Sequence, residues 1–138
     1  MFTMSFAGVD GVELGSVQNV QLRSNRVVVR ELATDDVEAL VTVFSDPGVV
    51  QYLMLPVQTL ESELAFLARA SAEAHRVPRR EYQLAIMVWA GREAVGTCRI
   101  GIESIEHRGA TIGYAMRRDL WGHGLGTEVM RLLAQFAV

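Results

Sequence analysis

Three glycines at alternate positions, Gly122, Gly124 and Gly126, constrain the fold of this chain more than any other feature. They follow a strand-like stretch at residues 111–116 and lead directly into a helical pattern. Because glycine has no Cβ, such a segment leaves backbone amides open to a large anionic group. The helix that follows adds its unpaired N-terminal amides and the positive end of its dipole at the same place. A strand, a glycine loop and a helix N-terminus together predict a phosphate-binding site.

Two familiar nucleotide-binding motifs fit this loop poorly. A dinucleotide fingerprint requires G-x-G-x-x-G near the start of a βαβ unit, with an acidic residue about 20 positions later. The spacing here is G-x-G-x-G, and the sequence ends at Val138. A Walker loop requires a lysine after its last glycine, whereas all 13 basic residues of this chain are arginines. The loop therefore belongs to a different kind of phosphate-binding segment.

The composition is that of one folded domain and argues against several other classes of protein. Of the 138 residues, 50% are hydrophobic and 21% are charged, and the net charge is −3. This negative net charge gives no sign of a basic surface that would bind nucleic acid or an anionic membrane. The single cysteine, Cys98, excludes an internal disulfide framework, and the three histidines lack the close spacing of a metal site. We therefore expect no metal site. With no long apolar run and no signal-peptide pattern, we expect a cytoplasmic protein.

Hydrophobic periodicity predicts the element order β-α-α-β-β-β-loop-α. A glycine-rich N-terminal extension over residues 1–21 is expected to be flexible, and the domain itself to cover residues 22–138. The predicted elements are an extended segment at residues 22–32, helices beginning at Thr34 and Thr59, strands at residues 82–90, 94–103 and 110–116, a turn at residues 106–109, and a last helix from about Gly124.

The glycine loop resembles the acetyl-CoA loop of the GCN5-related N-acetyltransferases (GNAT), usually written R/Q-x-x-G-x-G/A. The run LWGHGLGTE at residues 120–128 is most similar to the ribosomal-protein-alanine acetyltransferase branch, whose loop reads approximately Y-W-G-Q-G-x-A/G-T-E. Trp121 then occupies the R/Q position. Residues 22–32 are similar to the opening L-x-T-x-R-L-x-L-R-x-L of this branch, and residues 112–114 resemble the I/L-G-Y of its fourth strand.

This resemblance covers residues 20–138 and implies a GNAT-like α+β fold, a mixed, mostly antiparallel sheet flanked by helices. It also implies that the chain stops before the family's fifth strand, so that the C-terminal third of the fold is missing. The implied function is transfer of acetyl from acetyl-CoA, as cosubstrate, to a primary amine on a protein N-terminus or a small molecule. The sequence places no Cys–His or Ser–His arrangement near the loop, so direct transfer is expected.

The resemblance further implies which residues bind acetyl-CoA. Amides of residues 122–127 should hold the pyrophosphate, and the pantetheine should lie along the preceding strand like an added strand. The implied cofactor-binding residues are Tyr114, Ala115, Met116, Trp121, Gly122, His123, Gly124, Leu125, Gly126 and Thr127. An amide near Ala115 or Met116 should polarise the thioester carbonyl. Arg117 and Arg118 are either auxiliary phosphate contacts or part of a solvated basic face.

The candidate general base lies on a different strand from the one that precedes the glycine loop. Thr111 stands where the branch often has a glutamate, and threonine is not a base near neutral pH. Glu103 on the neighbouring strand is the candidate catalytic residue, and a plain surface carboxylate is the alternative interpretation of it.

Three functions remain open from the sequence. The chain is part of an N-acetyltransferase, or a non-catalytic GNAT-fold module that binds CoA or a protein partner, or a structural domain that assembles through a sheet edge. Without the missing third, the strand at residues 110–116 and apolar side chains such as Val129, Leu133 and Phe136 should face water. We therefore expect either a longer protein or a homo-oligomer formed through this edge.

Overall fold

A computed structural model of the chain describes residues 2–6, 19–104 and 109–137. Its six strands form one sheet in the order β1-β6-β5-β4-β3-β2, and all of these neighbours are antiparallel. The strands are β1 (Phe2–Phe6), β2 (Gln21–Arg23), β3 (Val27–Glu31), β4 (Glu81–Val88), β5 (Gly96–Ser104) and β6 (Gly109–Met116). The helices are α1 (Val37–Phe44), α2 (Pro47–Val50), α3 (Leu60–Ala74) and α4 (Leu125–Ala137). The predicted α+β architecture is confirmed.

Helix α4 covers one face of the sheet, and α1 and α3 cover the other. Apolar residues of α4 recur at intervals of three and four, so they form a single stripe that packs on the strands. The buried residues of α4 are Leu125, Val129, Met130, Leu132, Leu133 and Ala137. They share one hydrophobic cluster with strand residues such as Tyr82, Ile100 and Ile112. On the opposite face, α1 and α3 pack over the small residues Ala85 and Ala115.

The small side chains on the α1–α3 face have a structural consequence. Along β5 and β6 this face carries Thr97, Gly113 and Ala115, none of which can fill the space beneath the helices. Helix α3 begins as predicted, because the Thr59 hydroxyl accepts a hydrogen bond from the Ser62 amide at 3.2 Å and caps the first turn. A cavity therefore remains between the start of α3 and the sheet. None of the helices within the described ranges is long and apolar enough to cross a membrane.

The structure differs from the prediction between residues 22 and 37. The single extended segment predicted there is a hairpin of β2 and β3, closed by a hydrogen bond from the Ser24 amide to the Val27 carbonyl at 2.9 Å. Thr34 is not an N-cap but lies in the 3₁₀ turn Thr34–Asp36 that precedes α1. The buried Asp36 carboxylate fixes this turn, because it accepts hydrogen bonds from the Ala33 amide at 2.8 Å and from Arg30 at 2.8 and 2.9 Å.

The structure also differs at the edge that was expected to be bare. Residues 2–6, assigned to a flexible extension, form β1, which pairs with β6 from Phe2 opposite Tyr114 to Phe6 opposite Ala110. The expected exposure of Val129 and Leu133 is also wrong, because both side chains are 0% exposed under the sheet. The glycines of the extension and residues 106–108 of the predicted turn lie outside the described residues.

Candidate functional site

The glycine loop forms one wall of a cleft of about 410 Å³, which we call the glycine cleft. It lies where β6 ends and α4 begins, beside the α2 region. Every predicted cofactor-binding residue except His123 lines it, and the complete lining is Val49, Tyr52, Tyr114, Ala115, Met116, Leu120, Trp121, Gly122, Gly124, Leu125, Gly126 and Thr127. The structure therefore brings most of the predicted set together in one place.

Six consecutive amides of the glycine loop have no hydrogen-bond acceptor among the described residues. Among the described residues, none of the backbone amides from Gly122 to Thr127 donates a hydrogen bond, and the first paired amide of α4 is Glu128, to the Gly124 carbonyl at 3.2 Å. Gly122 and Gly124 adopt φ values of 83° and 79°, which residues with a side chain rarely tolerate. The loop thus presents a row of free donors beside the positive end of a helix, an arrangement that suits a phosphate group.

The three glycines are required for different reasons. A Cβ on Gly122 would meet no atom within 4 Å, so only its positive φ favours glycine there. A Cβ on Gly124 would lie 3.4 Å from Arg26 Nη2, and a Cβ on Gly126 would overlap the Tyr114 phenol. Lack of space therefore requires glycine at position 126, whereas at position 124 the contact is an ordinary one and the positive φ of 79° favours glycine.

Arg26 and Glu128 hold the loop against the β2–β3 hairpin. The Glu128 carboxylate accepts hydrogen bonds from the Ser24 hydroxyl at 2.5 Å and from the Arg26 amide at 2.8 Å, and it pairs with the Arg26 guanidinium at 2.8 Å. Arg26 Nη1 donates to the His123 carbonyl at 2.9 Å. The Ser24 hydrogen bond first, and then those from Arg26, lower the pKa of Glu128. This positioning role was not predicted from the sequence, although Ser24 and Arg26 belong to the segment similar to L-x-T-x-R.

The register of β6 directs particular amides to its outer edge. The Arg117 amide donates to the Val95 carbonyl at 2.7 Å, so odd-numbered residues of this strand turn their amides toward β5. The amides of even-numbered residues then face the opposite edge of β6, where the described pairs with β1 extend to Tyr114. The Met116 amide is therefore directed to the outer edge of β6, whereas the Ala115 amide is turned toward β5.

Four side chains around the loop have defined positions. Trp121 packs under the loop, where its Nε1 donates to the Met116 carbonyl at 2.8 Å and its ring meets the edge of Tyr52. Arg117 and Arg118 are paired with carboxylates, Asp119 at 2.6 Å and Asp46 at 3.1 Å, respectively. His123 lies outside the glycine cleft, in a shallow depression beside Arg26 and Trp89.

A second cavity of about 360 Å³ adjoins the glycine cleft on the α1–α3 face, and we call it the Glu63 cavity. Tyr114 and Ala115 line both spaces, so the two meet at the end of β6. Its lining is mainly apolar and consists of Phe44, Leu53, Leu55, Gln58, Glu63, Phe66, Arg69, Gln83, Thr97, Cys98, Arg99, Gly113, Tyr114 and Ala115. A volume of this size is within the range of small-molecule sites.

The predicted base, Glu103, is in neither space. It is exposed near the end of β5, where its Oε1 accepts a hydrogen bond from the Thr111 hydroxyl at 2.7 Å. Thr111 precedes Met116 by five residues of extended strand, or roughly 16 Å. The structure does not bring Glu103 to the glycine cleft. Within the described ranges, no group of three or more His, Cys, Asp or Glu side chains is arranged to hold a metal ion.

Comparison with known proteins identifies the family. The family model for the acetyltransferase (GNAT) domain matches residues 26–138. A Bacillus licheniformis relative, the uncharacterised N-acetyltransferase p20, is 25% identical over 115 residues, which are 83% of this chain and 64% of the relative. The chain thus spans about two-thirds of that protein's length.

Two solved structures share the fold at low sequence identity. RimL, a ribosomal L7/L12 alpha-N-protein acetyltransferase, aligns with a TM-score of 0.67 at 19% identity, over 87% of this chain and 65% of RimL. The Microcin C7 self-immunity acetyltransferase MccE, in complex with acetyl-CoA and AMP, aligns with a TM-score of 0.65 at 14% identity, over 81% and 62% of the two chains. With the glycine loop, the sheet order and a family match over most of its length, this chain belongs to the GNAT acetyltransferase family.

Proposed function

We propose that this chain carries the acetyl-CoA-binding part of an N-acetyltransferase that moves acetyl directly to a primary amine. The observation that carries the proposal is the row of six unpaired amides, from Gly122 to Thr127, at the N-terminus of α4. These donors and the helix dipole suit the pyrophosphate of CoA. The complex of MccE with acetyl-CoA supports the same ligand class for this fold.

The remaining parts of acetyl-CoA have a place on the same wall. The pantetheine would run from the loop along the outer edge of β6, where the Met116 amide is the donor for the thioester carbonyl. This narrows the two amides considered from the sequence to one, since the Ala115 amide faces β5. The Arg26–Glu128 pair would keep the loop in its binding conformation without touching the ligand.

Paired substitutions at Thr127 test the amide row. Both Thr127→Val and Thr127→Pro remove the exposed hydroxyl, but only proline removes an amide, and proline is tolerated in the first turn of a helix. Loss of one hydrogen bond to a charged group should weaken acetyl-CoA binding about tenfold or more in Thr127→Pro relative to Thr127→Val. Isothermal titration calorimetry measures this ratio, with thermal melts to verify folding. Equal affinities in two folded variants, or no binding by the wild type, would contradict the proposal.

Direct transfer predicts that the protein is never acetylated on its cysteine. Cys98 is 1% exposed, and burial raises the pKa of its thiol far above the ordinary value, so the nucleophilic thiolate is absent near neutral pH. Intact mass spectrometry after incubation with acetyl-CoA should show no adduct at Cys98, and a thiol reagent should react with it only after denaturation. A trapped acetyl group on Cys98 would indicate a two-step reaction instead.

A non-catalytic CoA-binding module is the second candidate function. It is favoured by one observation, the position of Glu103 and Thr111 outside the glycine cleft. The two functions differ in turnover: acetyl-CoA binding with no release of free CoA thiol, across a panel of primary amines, would favour the module.

A further inference from the structure

The Glu63 cavity holds one buried acidic side chain that has no hydrogen-bond partner among the described residues. Glu63 is only 4% exposed, yet no group among the described residues donates a hydrogen bond to its carboxylate or forms an ion pair with it. Buried carboxylates are normally paired, because an unpaired one loses its hydration without compensation. An unpartnered carboxylate on the wall of a cavity is therefore suited to a cationic ligand.

The surroundings of Glu63 favour proton transfer as well as binding. Burial raises the pKa of Glu63 above its ordinary value, and the positive charge of Arg69 offsets only part of that rise. The other lining residues with a charged or titratable side chain are Arg99, which is engaged by Glu81 at 2.7 Å, Cys98 and Tyr114. A carboxylate with a raised pKa is a more effective general base near neutral pH than an exposed one.

The rest of the wall indicates what the cation is attached to. Phe44, Leu53 and Phe66 line the same cavity as Glu63. At the mouth, Leu55 is 50% exposed and continues the apolar surface outward. The exposed guanidinium of Arg69 would repel a second positive charge. The cavity is therefore complementary to a single ammonium on an apolar body, rather than to a polyamine.

We propose that Glu63 binds the acceptor ammonium and serves as its general base, with the apolar part of the acceptor held by the aromatic and leucine wall. This rests on the proposed function, since the glycine cleft must place the thioester where the two spaces meet, at Tyr114 and Ala115. Glu63 takes one proton from the ammonium, and the free amine attacks the thioester carbonyl carbon. The C–N bond forms as the C–S bond breaks. The second amine proton goes to the departing thiolate, and Glu63 returns its proton to solvent.

Glu63→Gln tests the assignment, and Glu61→Gln is the matched control because Glu61 is exposed in the same helical turn. With phenethylamine as acceptor, kcat/KM should fall about 100-fold or more in Glu63→Gln, and the acidic limb of its pH profile should disappear. Glu63→Asp should restore part of the rate. The affinity for acetyl-CoA should not change in any of the three variants. Wild-type kinetics in Glu63→Gln, at unchanged acetyl-CoA affinity, would overturn this inference while leaving the proposed function intact.

A binding measurement covers the case in which the chain does not turn over. Phenethylamine titrated into the CoA-saturated protein should shift the NMR signals of Thr97 and Gly113, with about tenfold weaker binding in Glu63→Gln. Equal binding in the two proteins would overturn the assignment, whereas failure of acetyl-CoA itself to bind would overturn the proposed function. A short peptide with an N-terminal phenylalanine distinguishes a protein acceptor from a small amine. Tighter binding of spermidine than of phenethylamine would contradict an apolar monoamine acceptor.

Discussion

Replacing the buried Arg79 with methionine should lower the free energy of unfolding by about 3 kcal/mol at pH 7. Arg79 is 1% exposed and donates to both carboxylate oxygens of Glu31 at 2.8 Å. Its Nε donates to the Glu81 carbonyl at 3.1 Å, and its guanidinium lies 4.1 Å from the centre of the Tyr82 ring. Methionine fills much of the same volume but leaves the partly buried Glu31 carboxylate without its cation, and this loss dominates the effect.

The effect of this substitution should depend on pH in a defined direction. Burial alone would raise the pKa of Glu31, but the hydrogen bonds from Arg79 and from the Val20 amide together lower it below its ordinary value of 4.5. A carboxylate with a lowered pKa stabilises the fold above pH 4.5, and this contribution is lost as the pH falls through the folded-state value. The difference between Arg79→Met and the wild type should therefore shrink below that pH.

Urea denaturation at neutral and acidic pH measures both effects. Arg80→Met is the matched control, because Arg80 is the adjacent arginine, is exposed, and is expected to change stability by less than about 0.5 kcal/mol. A loss of similar size in the two variants, or a difference that does not depend on pH, would show that the Arg79–Glu31 pair does not have the stabilising role assigned to it.

Leu133→Ala should lower the free energy of unfolding by about 3 kcal/mol. Leu133 is 0% exposed and belongs to the cluster between α4 and the sheet, so its truncation leaves a cavity as well as removing buried apolar surface. Leu64→Ala on α3 is the chemically matched control, since Leu64 is 42% exposed and should cost much less. Thermal or urea unfolding gives the comparison. A loss below about 1 kcal/mol for Leu133→Ala would mean that this side chain faces water in solution, as the sequence alone had indicated.

The sequence predicted the helices and inner strands well because their signals are local. The α4 stripe repeats with the helical period, and the apolar run of β4 fits a strand with neighbours on both sides, which the structure confirms. It predicted less well the segment from residue 22 to residue 37. There the hairpin and the 3₁₀ turn depend on the hydrogen-bond partners of Ser24 and Asp36. Such side chains compete with the backbone for hydrogen-bond partners, and this competition leaves no periodic pattern in the sequence.

The candidate site, too, was predicted only in part from the sequence. The glycine loop was recognisable from consecutive residues, because missing Cβ atoms and free helix-terminal amides are properties of the backbone at those positions. The carboxylate that we propose as the general base was not recognisable in this way. Glu103 was the candidate because of its position on a neighbouring strand, but the register of β5 places it beside the start of β6, far from the glycine loop. Packing of α3 on the sheet instead brings Glu63 to the adjoining cavity.

By itself, then, the sequence determined an α+β domain with a glycine loop before its last helix, and the resemblance to an acetyltransferase family that the comparisons confirm. Only the tertiary structure decided which distant groups meet there. Arg26 reaches Glu128 across 102 residues, β1 pairs with the edge of β6, and Glu63 faces the end of that strand. Periodicity and turn signals depend on residues that are close in sequence, whereas these contacts depend on how separate elements pack. That packing is determined by the simultaneous burial of the apolar faces of all the elements.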